Sequence, residues 1–359
     1  MKKIIFKIII LMTISIIISF SNENAGTKKE NIQLSENEKL QVFDMRYLTS
    51  ENGEYLNVLL KENSKSVFVD YIFYTNQSIN ALIKDIFDTE INEGYIGTNY
   101  IEGNLSDSGF SGKIKGREVN FVNSKSPFSG AKVVRYSYTV SPTNASEEDK
   151  KIFEYYSSIF LFNNDSKSAI IDKINLDINS EITSEKLYIN KLSDIKNILS
   201  NNMLLFYNDW WPSEGEYGFN YYSISEYGID YLSEKIASIN NYFYEYTGGA
   251  HGVHGKIYKV YSLSNGERLK IEDILIDVND LDLINKVKEK LLSIADEESY
   301  FNLDGLSLQE NNFYITSKGL TFTWGIYEIA PYATGDSEVL FLVDEIMPYL
   351  KDEYKNIFE

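Results

Sequence analysis

The sequence predicts an α+β fold, an antiparallel sheet packed with helices and preceded by a small β-rich N-terminal domain. Runs such as Tyr55–Leu60 (YLNVLL), Val67–Tyr74 (VFVDYIFY) and Lys132–Val140 (KVVRYSYTV) carry the β-branched and aromatic residues that suit a pleated backbone. Tight turns, Ser264-Asn265-Gly266-Glu267 and Ser317-Lys318-Gly319, join neighbouring runs as hairpins, which makes the pairing antiparallel. Apolar residues at three- and four-residue spacing mark a few helices between the strands. The 359 residues include no cysteine, so an ordinary apolar core must hold the fold without disulfides.

Residues 1–21 have Lys2, Lys3 and Lys7 ahead of an uncharged run, Ile8–Phe20, with small residues at Ser19 and Ser21. That is the basic region, apolar region and cut site of an export signal peptide, and the protein is expected to be exported: periplasmic, extracellular, or anchored if the segment stays uncleaved. Residues 22–39 are polar and aperiodic and read as a linker. The formal charge is −19, and loss of the signal would leave the rest more acidic still. Nucleic acid and anionic membranes are therefore poor partners, and a basic protein would be attracted.

Residues 40–125 are expected to form the small β-rich domain, with turns at Glu51-Asn52-Gly53 and Glu62-Asn63-Ser64. Within it, Ser78 is read as the cap of a short helix with Ile79, Leu82, Ile83, Ile86 and Phe87 on one face. A second domain spans residues 131–350. Ser146 is expected to open a helix with Ile152, Phe153, Tyr156, Ile159 and Phe160 buried; Ser168–Ile178 and Ser193–Leu205 give two more. Asn208–Gly215 (NDWWPSEG) reads as a loop around Pro212, with Trp210 and Trp211 either a sugar-stacking platform or a core plug.

Phe219–Leu232 and Ile236–Tyr246 are expected to pair, and a glycine-rich connection leads to a strand at Lys256–Leu263. The Asn265-Gly266 turn suits type I′ geometry. Asp280–Ile294 is the clearest amphipathic helix, with Leu281, Ile284, Val287, Leu291 and Ile294 on its apolar face. A hairpin of Asn312–Thr316 with Leu320–Trp324 and a strand at Glu338–Leu342 complete the chain.

The most unusual stretch is Tyr242–Gly255 (YFYEYTGGAHGVHG), which holds both histidines of the protein, His251 and His254. Three residues apart in a flexible connection, they can converge on a metal with Glu245, Glu328 or Asp336, and a metal-assisted hydrolase of envelope glycans or peptides follows from that reading. The simpler reading is a sheet corner in which the glycines supply backbone conformations and His251 bonds to neighbouring backbone. No phosphate-binding loop, nucleophile elbow or HExxH is present. Asp277, Asn279 and Asp280 lack the glycine and fifth ligand of a calcium loop. No catalytic residue and no cofactor is assigned. Strand alternation divides Tyr221, Tyr222, Tyr242, Tyr244 and Tyr246 between the two sheet faces, suiting protein or glycan contact on one side.

Tyr246–Gly252 (YTGGAHG), the strand-turn-strand at Tyr261–Leu269, and Lys318–Gly335 (KGLTFTWGIYEIAPYATG) together resemble the RsiV-like domain family. That domain occurs in the outer part of the lysozyme-sensing anti-sigma factor RsiV and ahead of the catalytic domain of the peptidoglycan deacetylase PdaC. The resemblance implies an exported, non-catalytic α+β binding or sensing module of the bacterial cell envelope, with lysozyme or a peptidoglycan component as partner. Candidate ligand-binding residues are Tyr246, Gly248, Gly249, His251, Tyr327, Glu328 and Tyr332, with Trp210 and Trp211.

Overall fold

The computed structural model describes residues 34–358 except 62–65, 76–77, 84–88, 91–94, 98–100, 115, 125, 127, 129, 143–151, 165–167, 189, 211–219, 302 and 309–311. The expected signal peptide, and residues 22–33 of the expected linker, lie outside the described residues. Residues 34–39, also read as linker, begin the first strand instead.

The chain opens with β1 (Leu34–Thr49), β2 (Tyr55–Lys61), β3 (Ser66–Thr75) and β4 (Ser78–Ile83), then β5 (Thr89–Glu90) and β6 (Tyr95–Gly97). The meander β7 (Ile101–Ser106), β8 (Gly109–Ile114) and β9 (Arg117–Asn123) follows, and then the long strands β10 (Ala131–Pro142) and β11 (Phe153–Phe162). Helices α1 (Ala169–Ile178) and α2 (Leu192–Trp210) lead to β12 (Tyr221–Leu232), β13 (Ile236–Tyr246), β14 (Val253–Ser262) and β15 (Arg268–Leu269). The last part holds α3 (Ile271–Ile274), α4 (Leu281–Leu292), β16 (Phe313–Thr316), β17 (Gly319–Trp324), β18 (Ser337–Leu342) and α5 (Val343–Ile346).

The fold is mixed α+β. A large sheet runs β15-β14-β13-β12-β11-β10-β1-β9-β8-β7-β6, with β2 to β5 branching from β1, and β16-β17-β18 form a separate small sheet. Pairing is antiparallel except between β11 and β12, which run parallel over Phe153–Tyr156 and Tyr221–Ile224. Strand β1 pairs with β10 from Leu34↔Pro142 to Met45↔Ala131, so the N-terminal strands and the C-terminal ones share one hydrogen-bonded sheet.

Beyond Tyr156 the parallel strands part, and α1 fills the split. Asn179 accepts from the Phe160 N–H (3.1 Å) and donates to the Phe160 carbonyl (2.7 Å). Asn175 does the same for Phe162 at 2.8 and 3.0 Å. Four helical residues advance about 6 Å and two strand residues about 6.7 Å, so two asparagines one turn apart substitute for a missing strand. At the helix C-terminus the buried Lys259 ammonium donates to the Asp177 and Ile178 carbonyls at 2.8 and 3.0 Å, complementing the negative end of the dipole.

The small sheet, α3, α4 and the closing segment share one core that includes Trp324, Phe322, Phe341, Leu283, Val287 and Leu291. A second core joins Ile171, Ile174 and Ile178 of α1 to Phe160, Phe162, Ile239 and Tyr261. A third packs Ile195, Leu199 and Met203 of α2 on Tyr136, Phe153, Tyr155 and Tyr221.

Several local expectations are corrected. Residues 78–83 form β4, hairpin-paired to β3 (Thr75↔Ser78, Tyr74↔Ile79), because a neighbouring strand was available to so short an apolar run. Phe153, Tyr156, Ile159 and Phe160 belong to β11 rather than to a helix; Ile152 immediately precedes the strand, and Ser146 lies outside the described residues. Residues 157–162 of the strand are all buried, so the helical spacing was a subset of a strand buried on both faces. Asn208–Trp210, read as loop, extend α2. In α4 the buried stripe is Leu283, Val287 and Leu291, while Leu281 and Ile294 are 76% and 61% exposed: Asp280 caps the helix at Leu283 N–H (2.9 Å), which rotates Leu281 outward. The Asn265-Gly266 turn forms with a positive φ at Gly266 (69°) alone, not at both residues as type I′ needs; Asn265 Oδ1 instead accepts the Glu267 N–H at 3.0 Å.

Candidate functional site

The connection between β13 and β14 turns on glycines for two distinct reasons. Gly248 and Gly249 sit at φ of 103° and 91°, where a side chain is strained. Gly252 lies beneath Tyr244: a Cβ there would meet the ring Cζ and Oη at 2.6 Å and the Glu245 carbonyl at 2.7 Å. The Tyr246 hydroxyl donates to the Gly249 carbonyl (3.0 Å) and closes the turn, and His251 Nδ1 lies 3.1 Å from the Gly252 carbonyl.

The segment between β17 and β18 folds back onto this corner. Tyr332 stacks on His251 with ring centres 3.8 Å apart and planes at 20°, and His254 meets the same ring edge-on at 5.8 Å. Tyr327 adds a third ring, 6.0 Å from Tyr332. Among the described residues Tyr327 is the non-glycine with positive φ (66°), and it is 54% exposed. Glu328 holds the turn beneath it: Oε2 accepts from Asn312 Nδ2 (2.7 Å) and from the Gly325 N–H (3.1 Å). Burial pushes the Glu328 carboxyl above the ordinary range, those two donors pull it back, and the Asp336 charge pushes it up again.

Burial likewise raises Asp336, with His254 and Lys256 opposing the rise and Glu338 adding to it. Both residues remain exposed over much of their surface, so these are carboxyl groups that still reach water. Glu338 is fixed by two phenols, Tyr258 at 3.0 Å and Tyr314 at 3.2 Å, whose rings stack at 4.3 Å and pin the small sheet to β14.

The structure thus brings together Tyr246, Gly248, Gly249, His251, Tyr327, Glu328 and Tyr332, with Tyr246 and Glu328 shaping the turns and His251, Tyr327 and Tyr332 forming the exposed stack. Trp210 ends α2; its side chain and Trp211 lie outside the described residues. His254 belongs to β14 rather than to the connection, so both imidazoles address one tyrosine ring instead of each other. Among the described residues, no three His, Asp or Glu side chains converge as a metal ion requires. The second contact of Tyr332, through His254, escaped sequence reasoning because the residues lie 78 positions apart in the numbering and belong to segments of different sheets, His254 to β14 and Tyr332 to the connection between β17 and β18. A cleft of about 310 Å³ beside Arg46, Tyr47, Ser124 and Phe128 includes none of these residues, and its arginine is engaged by the Ser106 carbonyl and Asp107.

No curated protein matches the chain. A solved DUF3298 family structure from Bacteroides fragilis is 19% identical with a TM-score of 0.46, covering 58% of this chain and 87% of its own. Another, from Pseudomonas aeruginosa, is 14% identical with a TM-score of 0.41, covering 61% of this chain and 94% of its own. The family whose model matches, described as a protein of unknown function, covers the segment bearing Tyr327, Glu328 and Tyr332 but stops short of the glycine–histidine connection. The chain carries a DUF3298 domain over residues 272–342.

Proposed function

We propose that this protein is an exported, non-catalytic binding or sensing module of the bacterial cell envelope that recognises lysozyme or a peptidoglycan component at the corner built by His251, Tyr327 and Tyr332. The observation that carries this reading is the exposed Tyr327 ring, held at positive φ beside the stacked Tyr332 and His251. Backbone strain kept at an exposed aromatic, with Glu328 spent on maintaining it, is the pattern of a preorganised contact. The resemblance to RsiV-like domains points to the envelope, and a formal charge of −19 favours a basic protein partner through long-range steering.

Titration of the purified protein with lysozyme and with peptidoglycan fragments, at low and high salt, tests the reading. Binding of one of them, weakened about tenfold by Tyr327→Ala or Tyr332→Ala, is expected, with a salt dependence if lysozyme is the partner. Failure to bind either ligand at either salt concentration refutes it.

A further inference from the structure

The sheet face next to this corner is unusually aromatic. In the β13–β14 register Tyr244 is opposite His254 and Tyr242 opposite Lys256, which puts these four side chains on one face. The β12 and β11 registers extend that face through Tyr222, which pairs with Tyr246, and Tyr156, which pairs with Ile224. Rings touch across it: Tyr156 with Tyr222 at 5.8 Å, and Tyr222 with Tyr244 at 5.7 Å. Tyr156, Tyr222, Tyr242 and Tyr244 all keep water-accessible surface. Helix α2 packs against the opposite face, on Phe153, Tyr155 and Tyr221.

The company these rings keep selects a ligand. Among the side chains that β11 to β14 place beside them, Ile224 is the aliphatic one; the others are phenols, an imidazole, carboxylates, an ammonium, the Ser158 hydroxyl and the Asn240 amide. A protein–protein interface core is depleted of charge, whereas here Glu154 and Lys256 are interleaved with the rings, and Glu154 accepts from the Tyr156 hydroxyl at 3.2 Å. Nucleobases also stack on such platforms, but their phosphates would meet a chain of formal charge −19. A pyranose has an apolar C–H face to lie on a ring and equatorial hydroxyls that need phenol and carboxylate partners around the ring. We propose that the face formed by Tyr156, Tyr222, Tyr242 and Tyr244, continuing through His254 to Tyr332, binds an uncharged glycan chain. This rests on the reading of the protein as a binding module and names the ligand class and the residues that extend its surface.

The test is calorimetric titration of the purified full chain with two hexasaccharides, β-1,4-linked N-acetylglucosamine and β-1,4-linked glucose, alongside lysozyme. Wild type should bind at least one hexamer, with Tyr222→Ala and Tyr244→Ala each weakening it about tenfold and Tyr222→Phe, which keeps the ring, changing it less than the alanine variant does. The phenylalanine variant keeps the test valid if an alanine variant fails to fold. Absence of binding to both hexamers overturns the inference, as does binding that survives both alanine substitutions or falls only with Tyr327→Ala. Lysozyme binding without hexamer binding would leave the corner reading standing and remove the glycan face alone.

Discussion

Removing the Asn179 side chain should cost this protein far more than a helix C-terminal residue normally does. Asn179 is 1% exposed, and its amide supplies both hydrogen bonds that Phe160 would otherwise make to a neighbouring strand. In Asn179→Ala the Phe160 N–H and C=O are both orphaned in a dry core at about 1–3 kcal/mol each, so the loss is about 2–6 kcal/mol. Asn175 makes the matching pair with Phe162 but is only half-buried, so water can replace it and Asn175→Ala should cost about 1 kcal/mol. Asn179→Asp restores one acceptor, loses the donor and buries a charge, and should be no better than alanine. Urea unfolding followed by far-UV circular dichroism reads these differences as midpoint shifts at constant slope. Equal, small losses for both alanine variants would refute the view that helix α1 completes the sheet.

Gly252→Ala should destabilise by about 1–3 kcal/mol through overpacking, because its Cβ meets the Tyr244 ring and the Glu245 carbonyl; an unchanged melting temperature would show that the ring is free to move. Tyr327→Asn should leave stability unchanged or raise it by up to about 1 kcal/mol by relieving the positive φ, while weakening ligand binding; a clear loss of stability would count against strain held for recognition. Burial raises the Glu245 pKa above its reference value of 4.5, with the Tyr221 hydroxyl only partly offsetting it. The folded state then favours the protonated carboxyl, so stability is highest below that value and declines as pH rises through the raised folded pKa. Glu245→Gln should abolish this slope and gain stability at neutral pH, and melting curves from pH 4 to pH 8 that fall in parallel for both proteins would contradict the assignment.

Elements decided by their own few residues were legible in advance. The period of α4 and the Ser317-Lys318-Gly319 hairpin reflect helix geometry and glycine's conformational freedom, which act over short range, and the structure has both. The glycine corner was legible for the same reason, since Gly248 and Gly249 do take positive φ. Tyr156 shows where this reasoning ends. Its three- and four-residue spacing to Ile152, Ile159 and Phe160 suits a helix, yet it belongs to a strand whose later part is buried on both faces, beneath a helix that follows it in sequence.

By itself, then, the sequence determined the α+β class, most strand and helix positions after residue 168, and the glycine hairpins between strands. Only the tertiary structure decided that β1 joins β10, that α1 takes the place of a strand through Asn175 and Asn179, and that Tyr332 closes on His251 and His254. Those three are contacts between separate elements rather than within one. Local propensity carries no information about which partner wins there, because the outcome depends on which backbone groups and apolar faces are left unsatisfied once every other element has packed.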